Sequence, residues 1–312
     1  MTLHQVARRH QVARRRRFLG ACRLVALRGL FRTLDLLAPQ LGANQAMRIW
    51  CTLPGNARRR KDFRPAPGDV VHLDAPRGGR IAVESWGQGP IVYLVHGWGG
   101  WRGQLGAFVA PLVDGGYRVV AFDAPGHGES DPSVLGRGRS SAPEFIEALE
   151  VVGRRFGPAT GIVAHSLGCT VAAMLVRSGL SADSLVLIAP NQDFLDITHD
   201  FARNLGFTER TRRLLQQVME DFCQRPMSDF HLAPLGADGQ LPDPLVIHDR
   251  RDKETPHEVG RRLAAAWPNA ILVSTDGLGH QRILADPDTV SRVVGHLTRT
   301  AVQRSGATSA SD

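Results

Sequence analysis

Lysine is nearly missing from this chain. Lys61 and Lys253 are the only two in 312 residues, so arginine is almost the sole cation. Cysteine is scarce as well: Cys22, Cys51, Cys169 and Cys223 lie far apart, with no CxxC pair among them. That spacing excludes a cysteine-built metal site. In a chain this long it also argues against a disulfide framework, so the expectation is four thiols in a reducing, cytoplasmic setting. No apolar run reaches the roughly 18 residues a membrane-spanning helix needs. What is abundant is ordinary: 43% hydrophobic residues, 33 glycines and 19 prolines. This composition belongs to a globular protein with a sizeable core, and not to a collagen-like, repeat or mostly disordered chain.

The formal charge of +8 is unevenly spread. Residues 1–64 hold 15 basic residues against two acidic ones, Asp35 and Asp62, whereas the remainder holds 23 basic and 28 acidic. The expected organisation is therefore a basic N-terminal arm (1–64), a mildly acidic body (65–304) and a disordered tail (305–312). The arm opens with a duplicated hexapeptide, His4–Arg9 and His10–Arg15. Arg16-Arg17-Phe18-Leu19 and Leu19-Gly20-Ala21-Cys22 superficially fit export signals. Arg23, Arg28 and Arg32 interrupt the apolar stretch such a signal requires. Residues 18–37 read instead as an amphipathic helix, with Phe18, Cys22, Val25 and Leu30 recurring at helical intervals. Packing on the body is the commoner use of such a stripe. Peripheral contact with an anionic membrane is the alternative for a basic one.

From residue 69 onward, short apolar runs alternate with helical stretches. Strands are expected at 69–74, 80–86, 91–95, 118–122, 161–164, 185–189, 245–248 and 270–274. Gly78-Gly79 turns between the first two. Helices are expected at 104–114, from a capping box at Ser141–Glu144 to about 156, and at 167–178, 257–267 and 287–299. This alternation predicts an α/β fold with a doubly wound, mostly parallel sheet. One segment, about 191–241, breaks the rhythm with apolar helical faces at Phe194, Phe201, Leu205 and Leu215. It is expected to be a helical cap inserted between strands six and seven.

Ala164-His165-Ser166-Leu167-Gly168 follows a strand and opens a helix. That context suits a sharp turn holding an exposed serine, crowded enough to require small neighbours two residues to either side. His96-Gly97-Trp98-Gly99-Gly100 follows another strand, and its backbone N–H groups can face an oxyanion. Asp249-Arg250-Arg251-Asp252 and then His280 follow the last two strands. Serine is a poor nucleophile until a histidine removes its proton and a carboxylate fixes the imidazole. Ser166, a carboxylate and His280 appear in that chain order. Both Asp249 and Asp252 are candidates for the acid, and position in the turn favours Asp252.

Over roughly residues 69–303 these motifs resemble the α/β-hydrolase fold superfamily, as does Phe122–Ser130 after the fourth strand. The departures are Ala164 in place of the usual glycine and Asp249 where many members carry glycine. The resemblance implies Ser166 as nucleophile, His280 as general base and Asp252 as its orienting acid. It also implies an oxyanion hole from the N–H groups of Trp98 and Leu167, and no metal or organic cofactor. His96, His127, His165 and Asp123 read as turn-stabilising residues, and Trp98 and Trp101 as pocket or cap contacts. The expected reaction is hydrolysis of a carboxylic ester, with a small-molecule acyl compound as partner. Thioesterase, lactonase, C–C hydrolase and acyltransferase chemistry would use the same triad. A non-catalytic interaction protein recruited by the basic arm is the alternative of another class. The arm lacks interleaved aromatics and the body is acidic, which argues against nucleic acid.

Overall fold

A computed structural model describes residues 22, 24–55 and 61–309. The duplicated hexapeptide and the arginine run before Phe18 lie outside the described residues.

The chain forms two compact units, each assembled from segments distant in sequence. The first combines the described part of Met1–Trp50 with Phe194–Met227. Its helices are α1 (residues 24–37) and α2 (Pro39–Trp50), with α6 (Phe194–Leu205) and α7 (Glu209–Cys223) contributed from later in the chain. A helix is thus present over the described part of 18–37, but the face that packs is not the expected stripe: Cys22, Val25 and Leu30 are exposed, Phe31 and Asp35 are buried, and Phe18 lies outside the described residues. The inner side of α1 joins the helices of the inserted segment. Phe31 is fully buried and its ring lies 5.4 Å from that of Phe207. Asp35, buried, accepts from Thr208 N–H (3.2 Å), Thr208 Oγ (3.0 Å) and Thr211 Oγ (2.5 Å). Thr208 caps α7 through its own side chain, so Asp35 places a negative charge at that helix's positive end. Trp50 meets Phe194 and Phe201 edge-on at 6.0 and 5.5 Å.

The second unit carries an eight-stranded sheet in the order β1-β2-β4-β3-β5-β6-β7-β8. Its strands are β1 (Asp69–Asp74), β2 (Arg80–Trp86), β3 (Ile91–Val95), β4 (Arg118–Phe122), β5 (Gly161–His165), β6 (Leu185–Ile188), β7 (Pro244–Asp249) and β8 (Ile271–Thr275). β1 and β2 pair antiparallel, and every pair from β4 to β8 is parallel. β3, β5, β6 and β7 are almost wholly buried, which explains their continuous apolar runs. The doubly wound α/β fold is as expected, and all eight strands fall within a residue or two of their expected limits.

Three local details differ from the sequence reading. The stretch expected as helix 104–114 starts as a 3-10 turn, Arg102–Phe108, before α3 (Val109–Asp114). Gly103 and Gly106 are weak helix formers. Phe63 N–H bonds the Gly103 carbonyl at 2.8 Å, and a Cβ on Gly106 would lie 2.2 Å from Arg64 N. At the start of α4 (Ala142–Phe156), Ser141 is the N-cap residue, but its hydroxyl donates to the Glu144 carboxylate at 2.7 Å and accepts no backbone N–H of the helix. Buried Glu144 also holds Ser133 Oγ and Val134 N–H, so it organises the preceding loop. The last helix, Pro287–Ser309, runs on through residues 305–309, which the composition suggested as tail. A continuous helix satisfies those backbone groups internally.

Candidate active site

β5 ends at His165, and α5 (Leu167–Arg177) begins two residues later. Between them Ser166 has φ 53° and ψ −122°, in a region L-residues rarely occupy. Such strain survives only where the surroundings over-determine it. The Ser166 N–H bonds the Ile188 carbonyl at 3.0 Å, and Cys169 N–H bonds the Ser166 carbonyl at 2.9 Å. Space is equally restricted. A Cβ on Gly97 would lie 2.7 Å from Ser166 Cβ, and one on Gly168 would lie 2.6 Å from the Val95 carbonyl oxygen. Ala164 takes the place of the expected small residue on β5 and is fully buried. Leu167 is the first residue of α5, so its N–H has no acceptor within the helix.

The loop after β3 is built on two buried histidines. His96 Nδ1–H donates to the Gly97 carbonyl (2.8 Å), and its Nε2 accepts from Ala124 N–H (3.0 Å). His127 uses Nδ1–H on the Pro125 carbonyl (3.2 Å) and accepts from Gly99 N–H at Nε2 (3.0 Å). Each ring is therefore neutral. Burial pushes both pKa values down, that of His127 well below the usual imidazole range. Trp98 lies within this loop and stacks on Phe145 at 6.2 Å. Trp101 faces a cleft of about 850 Å³, which Gly100, His127, Glu129 and Arg137 also line.

Arg102, fully buried, is the residue that pattern reading missed. Its side chain meets Glu84 (2.7 Å), Asp123 and Glu129, and its N–H bonds Asp123 Oδ1 at 2.7 Å. Arg64 adds a second cation on Glu84 at 2.6 Å. Asp123 also receives Glu129 N–H at 2.9 Å, and a Cβ on Gly128 would fall 2.0 Å from its carboxylate. One arginine thus ties the turns after β3 and β4 together. Burial raises the Glu84 pKa, but the Gly68 N–H and the two arginines outweigh it and hold it below the carboxylate norm. No short-range pattern distinguishes Arg102 from the exposed arginines that dominate this composition.

The two aspartates after β7 have separate tasks. Asp252, with its side chain fully buried, accepts His280 Nδ1–H at 2.7 Å on Oδ2. The same oxygen receives Thr255 Oγ–H at 3.1 Å and lies 3.5 Å from His248 Nε2. Oδ1 takes the backbone N–H groups of Glu254 (2.8 Å) and Thr255 (3.0 Å). Burial alone would raise this carboxyl's pKa. Bonds from His248, His280 and Thr255 reverse that and hold it far below the usual range. Among the described residues, Asp249 makes no hydrogen bond to the His280 ring. It accepts from Thr275 Oγ (2.8 Å), Leu278 N–H (2.9 Å) and Arg251 N–H (2.9 Å), bracing the loop that leads to His280. Burial opposes ionisation there as well, and those donors still keep its pKa low.

His280 packs against His165, the residue that precedes the strained serine. His165 Nε2–H donates to the His280 carbonyl at 2.9 Å, and the two rings are 4.6 Å apart. With Nδ1–H committed to Asp252, Nε2 is the bare nitrogen, as a proton acceptor requires. His248 and Thr255 are further members of this cluster that the motif reading did not single out. His248 Nε2–H donates to the Thr255 carbonyl at 3.1 Å, so its proton position is set. Among the described residues, no cluster of histidine, cysteine or acidic groups could hold a metal ion.

Comparison with known proteins agrees with this architecture. The family model described as "Alpha/beta hydrolase family" matches residues 92–293. The pimeloyl-[acyl-carrier protein] methyl ester esterase of Methylococcus capsulatus is 26% identical over 246 residues, covering 69% of this chain and 96% of that enzyme. The dihydrolipoyllysine-residue acetyltransferase component of the acetoin cleaving system of Cupriavidus necator is 34% identical over 145 residues. That match covers 43% of this chain, and the chain spans only 35% of that longer protein. Among solved structures, an esterase from Exiguobacterium antarcticum superposes with a TM-score of 0.55 at 16% identity, covering 74% of this chain and 100% of that one. At that identity the likeness speaks for the fold alone.

Proposed function

Because the chain belongs to the alpha/beta hydrolase family, we propose that it is a serine hydrolase that cleaves a carboxylic ester through Ser166, His280 and Asp252. The observation that carries this reading is an imidazole, His280, whose Nδ1–H is bound to a buried carboxylate at 2.7 Å and whose ring packs on His165, next in the chain to the strained Ser166. The esterase name of the relative from Methylococcus capsulatus favours ester chemistry over the other reactions this fold hosts.

In the proposed reaction His280 Nε2 takes the Ser166 hydroxyl proton as Oγ attacks the ester carbonyl. The N–H groups of Trp98 and Leu167 bind the oxyanion that forms. Collapse breaks the ester C–O bond, and the alkoxide leaves with the proton from His280. Water then attacks the acyl-enzyme, again losing a proton to His280, and returns Ser166 and the free acid. Asp252 stays ionised throughout, since its five donors favour the anion. It stabilises the imidazolium that appears twice per turnover.

The test is a panel of p-nitrophenyl acetate and butyrate together with acyl thioesters, run on purified wild type and Ser166→Ala. Turnover of the esters by wild type, with loss of at least about 10³-fold in the variant, is the expected result. Equal turnover by the two proteins would overturn the assignment. Thioester turnover without ester turnover would keep the triad and change the substrate class.

A further inference from the structure

The positive charge of this protein resides in one of its two units. Residues 1–50 with 194–227 hold 15 basic and 6 acidic residues, and the rest of the chain holds 23 and 24. The same unit presents an apolar face to solvent. A helix packed on one side ordinarily carries polar residues on the other. α1 does pack one side, through Phe31 and Asp35. Yet Val25, Leu30, Leu36 and Leu37 are 68%, 47%, 77% and 80% exposed, and Leu41 of α2 is 61% exposed. At about 100° per residue, Val25, Leu30, Leu36 and Leu37 project away from the line through Phe31 and Asp35. Gly29 and Ala26, also exposed, lie among them, and exposed Arg32 borders the strip. Seven more arginines occur between residues 8 and 23.

We propose that this face of α1 and α2 docks the protein on an anionic phospholipid surface. Aliphatic side chains of an interfacial helix enter the boundary between headgroups and acyl chains, and arginines at its border meet lipid phosphates. Charge decides between occupants. A second copy of this chain would bring the same basic unit against itself in a two-fold pairing, which repels. An anionic membrane attracts it. Among the described residues no helix is long and apolar enough to cross a membrane, so the contact is peripheral. None of these residues belongs to the site around Ser166, so membrane attachment does not depend on ester cleavage.

The experiment is co-sedimentation of the full chain with vesicles of phosphatidylcholine alone and of phosphatidylcholine mixed with phosphatidylglycerol. Wild type should bind the anionic vesicles at least about tenfold more tightly than the neutral ones. Salt near 1 M, where the screening length is about 3 Å, should weaken that binding. The double variant Leu36→Glu/Leu37→Glu should lose at least about tenfold in binding. Both positions are exposed, so an unchanged circular dichroism spectrum is expected and is checked first. Absence of binding to anionic vesicles overturns the proposal. So does undiminished binding by the variant, which would assign attachment to the arginines alone. A dimeric mass in light scattering that reverts to monomer in the variant, without vesicle binding, would assign the face to self-association instead.

Discussion

Asp252→Asn tests the site through a single atom. Asparagine keeps the shape of the side chain but replaces one acceptor oxygen with a donor NH₂. Two orientations are open. With the amide nitrogen at the Oδ1 position it would face the N–H groups of Glu254 and Thr255, now at 2.8 and 3.0 Å from oxygen. Both are backbone donors that cannot turn away, and leaving one unmet costs about 1–3 kcal/mol where it is buried, as at Thr255 more than at exposed Glu254. With the nitrogen at the Oδ2 position it faces His280 Nδ1, at 2.7 Å, and Thr255 Oγ, which can rotate. The second orientation is therefore preferred. It obliges His280 Nδ1 to become the acceptor, which moves the ring proton to Nε2 and removes the base from Ser166. The expected loss is on the order of 10⁴ in kcat, the scale seen when a triad carboxylate becomes an amide, with KM little changed. Asp249→Asn is the control. Asp249 binds Thr275, Leu278 and Arg251 rather than His280, so its variant should lower Tm and cost far less in kcat. The assay is steady-state hydrolysis of p-nitrophenyl butyrate, with circular dichroism to confirm folding. An Asp252→Asn enzyme within tenfold of wild type, or an Asp249→Asn enzyme that loses as much, would refute the reasoning.

Gly97→Ala should both destabilise the protein, by about 1–3 kcal/mol for an overpacked site, and lower kcat. Its new methyl would lie 2.7 Å from Ser166 Cβ and 3.0 Å from the His165 carbonyl oxygen; a Tm within one degree or so of wild type would count against the close approach. Arg102→Met leaves Glu84 and Asp123 buried without their shared cation, an arrangement that costs about 3–5 kcal/mol, so chemical denaturation should show a large fall in stability. Acidification should destabilise the fold in two stages. His96 and His127 have pKa values lowered in the folded state, so the unfolded chain binds more protons below about 6.5 and stability begins to fall there. Asp252, Asp249 and Glu84 are also held low in the fold, and their contribution, complete above about 4, drains away as pH drops further. Thermal melts at descending pH check this, and a Tm constant from neutrality to about pH 5 would contradict the burial assigned to the two histidines.

The sheet was readable in advance because its strands advertise themselves. Buried parallel strands are short continuous apolar runs ended by Gly, Asp, His or Pro, and these delimit β3, β5, β6 and β7 closely. The Ser166 turn was readable for a related reason. A backbone that crowded admits only small neighbours, and the restriction shows as Ala164, Gly168 and Gly97 at fixed offsets. Arg102 was not readable. Its burial depends on Glu84 of β2 and on Asp123 and Glu129 of the turn after β4 converging on it from distant segments, and no short window of sequence contains that convergence. His248 and Thr255 escaped notice for the same reason, since their importance lies in sharing one oxygen of Asp252 with His280.

By itself, then, the sequence determines the strand–helix alternation, the strained serine turn and the order of serine, acid and histidine. All are local consequences of periodicity and small-residue spacing. Position in the turn only favours Asp252; tertiary structure decides that it, and not Asp249, accepts the imidazole N–H, because the two share one four-residue turn and their side chains point to different partners. It also decides that helix α1 joins α6 and α7 in one unit rather than forming a separate arm. The reason is physical: burial of Phe31 against Phe207 and of Asp35 against Thr208 and Thr211 links residues more than 170 positions apart, and pairings of that span leave no trace in the local pattern.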